Sequence, residues 1–346
     1  MRGHKLQARE IVARGLRGWV LAEDVRSTAG KRVARKGQRL DDAVLEQLAS
    51  ADGREVHVVE PEPGEIHEDE ASRRLATAVA GPGLRLKGPA QSRFNLIAQR
   101  KGVVRIDQDL LRQLNALYGV AVFTLLDRQV VLPGKVVAGV KVTPLVMPEA
   151  VVRRAEEIAS QGPVIALQPF QPKQVAVVAT QGLPEKLRDR FRRTVEQKIG
   201  WYGSTISGIT YLPAEAEAVA EALRELARTN DVILVAGGNT IDPLDPAFVA
   251  LDRSGAEMIH FGAPSHPGSM FWLARLGETS IVNLASCSMY SRSTFADLVL
   301  PLVMTGERVT EAEIDEFGYG GLLERDMAFR FPPYDSDVSD EENEDA

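Results

Sequence analysis

Short apolar runs and amphipathic stretches alternate along the C-terminal half of the chain. Runs typical of buried strands occupy residues 175–180, 204–211, 231–236 and 257–261. Between the first two runs, apolar residues recur every four positions and indicate an amphipathic helix, namely Leu187, Phe191, Val195 and Ile199. Further helices are predicted from Pro213 to about Asn230 and over residues 245–254. This alternation predicts a parallel sheet with right-handed crossovers.

The pattern changes after residue 261. Apolar segments at 270–275 and 280–284 flank Gly277-Glu278, which is typical of a β-hairpin, and an apolar helix is expected over 294–303. We therefore place one α/β domain at residues 173–334. Residues 335–346 form an acidic tail that we expect to be disordered, because seven of the twelve residues are acidic and few are apolar.

A separate, smaller α/β region is expected over residues 1–130. Its predicted elements are helices at 41–48 and 65–79 and strands at 55–59, 103–107 and 120–124. Residues 131–172 contain six prolines and are predicted to connect the two regions. We expect a strand near 136–142 and a helix near 149–160 within this connecting segment.

Composition narrows the functional classes. The 346 residues include 41 basic and 48 acidic side chains, and the acidic tail accounts for the net charge of −7. The rest of the chain has equal numbers of basic and acidic residues, so it lacks the excess of positive charge that non-specific binding of nucleic acid requires. No apolar run reaches the length of a membrane helix, and the N-terminus lacks the apolar segment of a signal peptide. Cys287 is the single cysteine, which excludes an internal disulfide. We expect a soluble, cytoplasmic protein with no nucleic-acid or membrane partner.

The common catalytic signatures are missing: Walker A, G-x-G-x-x-G between a strand and a helix, G-x-S-x-G and H-E-x-x-H. What remains is the end of the strand at 231–236, followed by Gly237-Gly238-Asn239-Thr240. Glycines at the carboxyl end of a parallel strand let backbone N–H groups approach an anion such as phosphate. Asp242 and Asp245 follow, where a carboxylate could hold a divalent cation beside that phosphate. In the alternative interpretation, the glycines only form a tight turn and Asp245 caps the next helix.

Several landmarks of the C-terminal half occur in a characteristic order. Gly237-Gly238 ends a strand, Asp245 lies seven residues after the second glycine, and Ser-His-Pro-Gly-Ser-Met at 265–270 precedes the hairpin. In this combination the segment resembles the MoaB/Mog molybdopterin-binding domain, which occurs in molybdopterin adenylyltransferases and molybdopterin molybdenumtransferases. The resemblance implies an α/β fold with a Mog-type, Rossmann-like parallel-sheet domain at the C-terminus, preceded by a smaller α/β region. Landmarks similar to a molybdenumtransferase-like N-terminal region occur at 20–24, 33–38, 68–71, 93–95 and 318–323.

The resemblance also implies a function in molybdenum cofactor biosynthesis. The ligand would be molybdopterin or adenylylated molybdopterin, and the reaction would insert molybdenum into molybdopterin or adenylylate it, with Mg²⁺, molybdate and ATP or AMP taking part. Asp245 would hold the Mg²⁺ and act in catalysis, with Asp242 as second choice. The expected pterin-binding residues are Thr180, Gly182, Gly237, Gly238, Asn239, Thr240, Ser265, His266, Gly268, Ser269, Ser286, Ser288 and Ser291. By resemblance we also expect a homo-oligomer and a molybdoenzyme client.

The chain departs from the family pattern at two places. Ala-Thr-Gln-Gly-Leu-Pro at 179–184 stands where molybdenumtransferases have S-T-G-D-E, so two acidic groups are missing. Residues 284–291 replace the family's L-P-G-N-P loop. These departures favour an alternative, in which the protein is a non-catalytic molybdopterin carrier, sensor or chaperone for a molybdoenzyme. A third reading is an unrelated α/β protein that binds ATP or NAD.

Three further features receive structural interpretations. His67 lies beside the acidic Glu68-Asp-Glu70, which we interpret as the first turn of a helix stabilised by the helix dipole rather than as a metal site. Cys287 is interpreted as a small loop or core residue. The basic stretch at 31–39 is interpreted as a solvated turn rather than an anion site.

Overall fold

The computed structural model describes residues 1–51, 53–180, 185–237, 241–285, 289 and 293–336. The chain divides into two compact units. The first comprises Met1–Gln99, Val104–Asp127 and Gly134–Leu167, and the second comprises Arg100–Val103, Arg128–Pro133 and the described part of Gln168–Ala346.

The N-terminal part of the chain is built from short strands and helices. The strands are β1 (Arg2–Gln7), β2 (Val20–Leu21), β3 (Val25–Arg26), β4 (Arg32–Ala34), β5 (Glu55–Glu60), β6 (Glu65–His67), β7 (Leu84–Ala90), β8 (Arg93–Ala98), β9 (Gly102–Ile106), β10 (Val120–Thr124), β11 (Val130–Val131), β12 (Val136–Val142), β13 (Val146–Pro148) and β14 (Ile165–Pro169). The helices are α1 (Ala8–Arg14), α2 (Asp42–Leu48), α3 (Glu68–Val79), α4 (Gln108–Asn115) and α5 (Glu149–Ala159).

These strands form small sheets rather than one large one. Their orders are β1-β5-β2, β3-β4, β13-β6, β10-β12-β8-β7 and β11-β9-β14. One core of the first unit lies between the β1-β5-β2 sheet and helices α1 and α2, where Ile11, Leu21, Leu48 and Val56 are almost fully buried. Arg74 on α3 donates hydrogen bonds to Glu156 and Glu149 on α5 and so joins the two helices.

The second unit is built on one six-stranded sheet. Its strands are β15 (Gln174–Ala179), β16 (Thr205–Tyr211), β17 (Val232–Ala236), β18 (Glu257–Phe261), β19 (Trp272–Leu276) and β20 (Thr279–Leu284), in the order β16-β15-β17-β20-β19-β18. Strands β16, β15, β17 and β20 are parallel to one another, whereas β19 pairs antiparallel with both β20 and β18. The second unit therefore has the mostly parallel sheet expected of a Rossmann-like domain.

Helices cover both faces of this sheet. They are α6 (Glu185–Trp201), α7 (Ala216–Leu226), α8 (Pro246–Ser254), α9 (Phe295–Met304) and α10 (Glu311–Asp315). Phe191 of α6 and Phe295 of α9 pack on one face, and Leu223 of α7 and Leu251 of α8 pack on the other. Buried apolar side chains on both faces explain why the parallel strands are continuous apolar runs.

Both edge strands of the sheet carry a β-bulge. On β16 the pairing steps from Val175↔Ile206 to Ala176↔Gly208, which leaves Ser207 as the extra residue. On β18 it steps from Met258↔Ala274 to His260↔Leu273, which leaves Ile259 as the extra residue. The Ser207 hydroxyl donates a hydrogen bond to Asn230 Oδ1 at 2.6 Å, so this bulge is fixed by a side-chain contact.

A buried ion pair joins α6 to α9. Lys198 Nζ lies 2.7 Å from Asp297 Oδ1, and the two side chains are only 4% and 1% exposed. Tyr334 donates its hydroxyl proton to the same oxygen at 2.9 Å, and the Thr294 N–H and hydroxyl donate to Asp297 Oδ2. Burial raises the pKa of Tyr334 well above its usual value, and the negative charge of Asp297 adds to this shift. Because the Tyr334 hydroxyl proton is directed at Asp297, the Tyr334 oxygen accepts from the Tyr202 hydroxyl at 3.1 Å.

Most predicted elements occur within two residues of their expected bounds, but three details are corrected. Residues Glu65–His67 form β6 rather than the start of a helix, because they pair with β13. Helix α7 spans Ala216–Leu226 rather than Pro213 to about Asn230. Leu187 is 38% exposed, so the buried stripe of α6 begins at Phe191. Within the described residues, no helix is both long and apolar enough to cross a bilayer.

Candidate functional site

Three parallel strands of the second unit end side by side. Ala179 of β15 pairs with Ala236 of β17, and Ala236 pairs with Leu284 of β20. The chain passes from β15 to β16 on one side and later returns to β17 on the other, so the direction of the crossovers reverses at β15. Ligands of open α/β sheets bind outside the carboxyl ends of the strands at such a reversal. We refer to the carboxyl ends of β15, β17 and β20 as the carboxyl edge.

Two backbone donors of the carboxyl edge are already used inside the sheet. The Thr180 N–H donates to Ala236 O at 3.0 Å, and the Gly237 N–H donates to Leu284 O at 3.3 Å. Thr180 is also almost fully buried, and its hydroxyl lies 3.5 Å from Ala236 O. Gly237 has φ +100°, a conformation that favours glycine. Thr180 and Gly237 therefore shape the turn, and anion-binding N–H groups would have to come from the residues that follow.

Several predicted ligand contacts belong to those following residues. The ones that lie outside the described residues are Gly182, Gly238, Asn239, Thr240, Ser286, Ser288 and Ser291, together with Cys287. Their role in binding stays a prediction.

Asp245 caps helix α8. Its Oδ1 accepts the N–H of Ala247 at 2.9 Å, Pro246 occupies the first helical position, and the side chain is largely buried. Asp242 is exposed and accepts the N–H of Leu244 at 2.9 Å. The capping contact proposed as the alternative role of Asp245 is thus present. Among the described residues, no group of three or more His, Cys, Asp or Glu side chains could hold a metal ion.

The segment at 265–269 is anchored by its backbone. The His266 N–H donates to Gly321 O at 2.9 Å, and His266 O accepts the N–H of Leu323 at 2.8 Å. Gly268 has φ +118°, and a Cβ there would lie 2.7 Å from Phe295 Cβ, so a side chain does not fit. The His266 and Ser269 side chains are exposed, whereas Ser265 is buried.

Among the buried polar atoms of this unit that have no hydrogen-bond partner within the described residues are Tyr211 Oη, Ser265 Oγ and Asn283 Oδ1. Tyr211 ends β16 opposite Ala179, and Asn283 is the penultimate residue of β20. Both therefore lie at the carboxyl end of the sheet. Buried polar atoms are nearly always paired, so these atoms are available to hydrogen-bond with a ligand at the carboxyl end of the sheet.

An apolar pocket of about 790 Å³ lies next to these segments. Its lining residues are Ile241, Pro243, Phe248, Phe261, Gly262, Ser269 and Met270. The rings of Phe248 and Phe261 lie 5.4 Å apart. Of the predicted residues, the structure brings Ser269 into this pocket, beside the chain that follows Thr240. Apolar and aromatic walls with few polar groups are typical of small-molecule sites.

Sequence reasoning missed four of these residues: Tyr211, Asn283, Phe248 and Phe261. A signal existed for Asn283, because it is an amide inside the otherwise apolar strand end Ile-Val-Asn-Leu. No comparable signal existed for Phe248 and Phe261, since their proximity depends on how α8 packs beside β18.

Residues 174–305 match the family model MoCF_biosynth, described as "Probable molybdopterin binding domain". The match covers less than half of the chain and lies within the second unit. This part of the chain is therefore similar to molybdopterin-binding domains. None of the curated proteins compared with the chain matches it.

Solved structures show only distant similarity. The protein CinA of unknown function from Thermoplasma acidophilum is 11% identical, with a TM-score of 0.28, over 34% of this chain and 90% of its own. A molybdopterin biosynthesis MoeA protein from Pyrococcus horikosii is 12% identical, with a TM-score of 0.29, over 88% of this chain and 75% of its own. A molybdenum cofactor biosynthesis protein from Pyrococcus furiosus is 11% identical, with a TM-score of 0.25, over 88% and 64%.

Proposed function

We propose that the second unit binds molybdopterin or adenylylated molybdopterin at the carboxyl edge and acts in molybdenum cofactor biosynthesis. The observation that carries this proposal is the set of orphaned buried polar atoms, Tyr211 Oη, Ser265 Oγ and Asn283 Oδ1, inside a segment that is similar to molybdopterin-binding domains. A pterin carries both N–H donors and ring acceptors, so it would satisfy hydroxyl and amide groups that the protein leaves unpaired.

The apolar pocket provides a complementary surface. Phe248 and Phe261 present aromatic rings, and Met270 adds a polarizable side chain. A flat heteroaromatic ring would gain contact area there, while its phosphate would extend toward Gly237 and the residues that follow. An apolar pocket for the ring and a glycine-containing turn for the phosphate would together suit a ligand with one planar end and one anionic end.

The chemistry that we propose takes place at the phosphate. Adenylylation would join the AMP group of ATP to the pterin phosphate and release pyrophosphate, whereas molybdenum insertion would release AMP as molybdate is bound. Asp245 and Asp242 would hold Mg²⁺, which binds to one or two carboxylates together with phosphate oxygens. When bound, Mg²⁺ would neutralise phosphate charge. Because Asp245 Oδ1 accepts the Ala247 N–H, the helix start fixes the orientation of this carboxylate.

A second candidate is a non-catalytic molybdopterin carrier, sensor or chaperone. The observation that favours it is that Asp245 and Asp242 both accept backbone N–H groups of their own loop, as purely structural residues do. This candidate predicts tight pterin binding without turnover. A homo-oligomer, a cytoplasmic location and a molybdoenzyme client stay predictions under either candidate.

The two candidates are separated by one assay. The purified full chain is mixed with adenylylated molybdopterin, Mg²⁺ and molybdate, and AMP release is followed together with pterin binding. Molybdate-dependent AMP release would establish insertion. Binding without release would leave the carrier and the adenylylation step, which a second assay with molybdopterin and ATP distinguishes. Failure of both pterins to bind would refute the proposal.

The variant Asp245→Asn isolates the chemical role of this carboxylate. Asparagine is as good a helix cap as aspartate, so the fold should keep its stability. The variant should retain pterin binding within about threefold and lose turnover by about 100-fold or more, since a metal-bound carboxylate is replaced by a neutral amide. Asp252→Asn, on the exposed side of α8, is the matched control. Equal loss of binding and turnover, or no loss, would contradict the role of Asp245.

The variant Asn283→Leu tests the orphaned carbonyl oxygen of this side chain. Leucine removes an unpaired buried carbonyl oxygen, so the melting temperature should stay equal or rise, while pterin affinity should fall about tenfold. Isothermal titration calorimetry and thermal unfolding measure the two quantities. A variant that loses stability but binds the pterin normally would show that Asn283 is purely structural.

A further inference from the structure

The first unit contains a polar pocket of about 1160 Å³ that the proposed function does not use. It is lined by residues from the 22–24 turn, the 32–41 stretch, the start of α3, the turn between β7 and β8, and the end of β12. The stretch at 32–41 overlaps the basic segment at 31–39, which the sequence alone suggests to be a solvated turn. The structure places this segment on one wall of the pocket.

Part of the pocket's charge is neutralised internally. Arg32 forms an ion pair with Asp24 at 3.1 Å, and the Lys36 N–H donates to Asp24 at 2.9 Å. These hydrogen bonds lower the pKa of Asp24. Asp41 is used as the cap of α2, where it accepts the N–H of Val44.

The basic side chains that remain have no carboxylate partner among the described residues. They are those of Arg35, Lys36 and Lys141, and Lys141 Nζ donates only to the backbone carbonyl of Gln91 at 3.2 Å. Arg35 and Lys36 are exposed, whereas Lys141 is partly buried. Guanidinium and ammonium groups that line one pocket suit a phosphate, which accepts several charge-assisted hydrogen bonds at once.

Glu68 is the unusual residue of the pocket. It is 7% exposed, and its carboxylate has no hydrogen-bond or ion-pair partner among the described residues. Its Oε1 lies over the backbone of Gly37, where a Cβ would come within 2.5 Å of it, and Gly37 has φ +84°. The carboxylate lines the pocket without a donor from the described residues, so it can accept an N–H or O–H from a bound molecule.

His67 holds the two walls together. The Asp69 N–H donates to His67 Nδ1 at 3.2 Å, so the ring proton is on Nε2, which donates to Gly37 O at 2.8 Å. This contact fixes the turn at Gly37 against the start of α3. Glu68 is therefore part of a preformed surface.

The turn between β7 and β8 supplies another unpaired group. Gln91 and Ser92 have φ +49° and +66°, a conformation that residues other than glycine rarely adopt. Ser92 is 5% exposed, lines the pocket, and its hydroxyl has no partner among the described residues. Strained backbone that presents an unpaired hydroxyl to a cavity is typical of binding sites.

We propose that this pocket binds a phosphorylated small molecule, with its phosphate among Arg35, Lys36 and Lys141 and an N–H or O–H donor directed at Glu68. All of its lining residues belong to the first unit, and the proposed pterin function uses none of them.

The proposal is tested by calorimetric titration of the full chain. The probes are AMP and ribose 5-phosphate, which combine a phosphate with donor groups, and their matched controls are adenosine and ribose, which lack the phosphate. At least one of the two phosphate esters should bind, and its control should bind at least tenfold more weakly. Glu68→Gln should weaken the ester about tenfold, because a charge-assisted hydrogen bond becomes a neutral one. Lys141→Met should weaken it by a similar factor.

Further measurements distinguish binding at this pocket from binding at the carboxyl edge and from the effects of misfolding. Glu46→Gln on exposed α2 and Asp245→Asn should leave ester affinity unchanged. Bound ester should also protect Lys141 of the wild-type chain from acetylation, which requires no variant. The proposal is overturned if neither ester binds, if Glu68→Gln and Lys141→Met bind it as tightly as the wild type, or if only Asp245→Asn weakens it.

Discussion

The buried ion pair between Lys198 and Asp297 should be essential for the stability of the second unit. We consider the variant Lys198→Met, which keeps the length and apolar stem of the side chain but removes its charge. Asp297 then stays buried at 1% exposure without its counter-ion. Because Asp297 also belongs to the capping box with Thr294 at the start of α9, the loss affects the segment that follows residues 286–292.

The expected magnitude follows from what Asp297 retains. Breaking a buried ion pair by removing one partner costs about 3–5 kcal/mol. Tyr334 and Thr294 still donate three hydrogen bonds to the carboxylate, so the cost should be at the lower end, about 3 kcal/mol. For a unit of this size, that corresponds to a fall of roughly 6–12 °C in melting temperature.

Urea unfolding measured by tryptophan fluorescence is a suitable assay. Trp201 packs against Tyr334, with ring centroids 5.7 Å apart, and therefore reports on this region. The double variant Lys198→Met/Asp297→Asn should be more stable than the sum of the two single effects by about 2 kcal/mol, because no unpaired charge remains. Lys186→Met, at an exposed position of the same helix, should change stability by less than about 0.5 kcal/mol.

Two results would refute the reasoning. If Lys198→Met costs less than about 1 kcal/mol, then the remaining donors of Asp297 satisfy the charge without the ammonium group. If the single effects simply add in the double variant, then Lys198 and Asp297 are not coupled, and the 2.7 Å contact contributes no pairwise stabilisation.

Two further predictions concern other parts of the chain. Gly268→Ala should lower the unfolding free energy by about 2–4 kcal/mol, because its Cβ would collide with Phe295. The control Gly208→Ala, whose Cβ would have nothing within 4 Å, should be nearly neutral. Chemical denaturation of both variants checks this. Hydrogen bonds from Arg74 lower the pKa of Glu156. The stability that this ion pair contributes is therefore complete above the unfolded pKa of about 4.3 and is lost as the pH falls through the lower folded pKa. The difference in stability between the wild type and Arg74→Met should shrink between pH 6 and pH 3, and a constant difference would show that Arg74 acts through packing alone.

The sequence predicts much of the second unit because its elements carry strong local signals. Apolar runs of five or six residues locate β15 and β17, and Thr294 and Asp245 mark the starts of α9 and α8. The hairpin of β19 and β20 follows from Gly277, which adopts φ +60°. In each case the local preference and the tertiary environment favour the same structure.

The first unit is less predictable because its signals are weaker. Strand β7 exposes nearly all of its residues and has no clear apolar alternation, and the turn that follows is made by Gln91 and Ser92 rather than by glycine. Helix α4 also lacks a prediction, although Asp107 caps it through two backbone N–H groups. At the carboxyl edge, sequence identifies the residues after each strand, but the orphaned oxygen of Asn283 depends on burial, which only the assembled sheet determines.

The bulges at the two edges of the six-stranded sheet limit how copies of this protein could associate. A bulge turns successive N–H and C=O groups away from the regular ladder, so an incoming strand cannot pair along its full length. Both Ser207 and Ile259 lie on the outermost strands, which protects the edges of this sheet from strand addition and from edge-to-edge aggregation. Assembly through the second unit would therefore rely on its helices and loops rather than on a sheet continued from one molecule to the next.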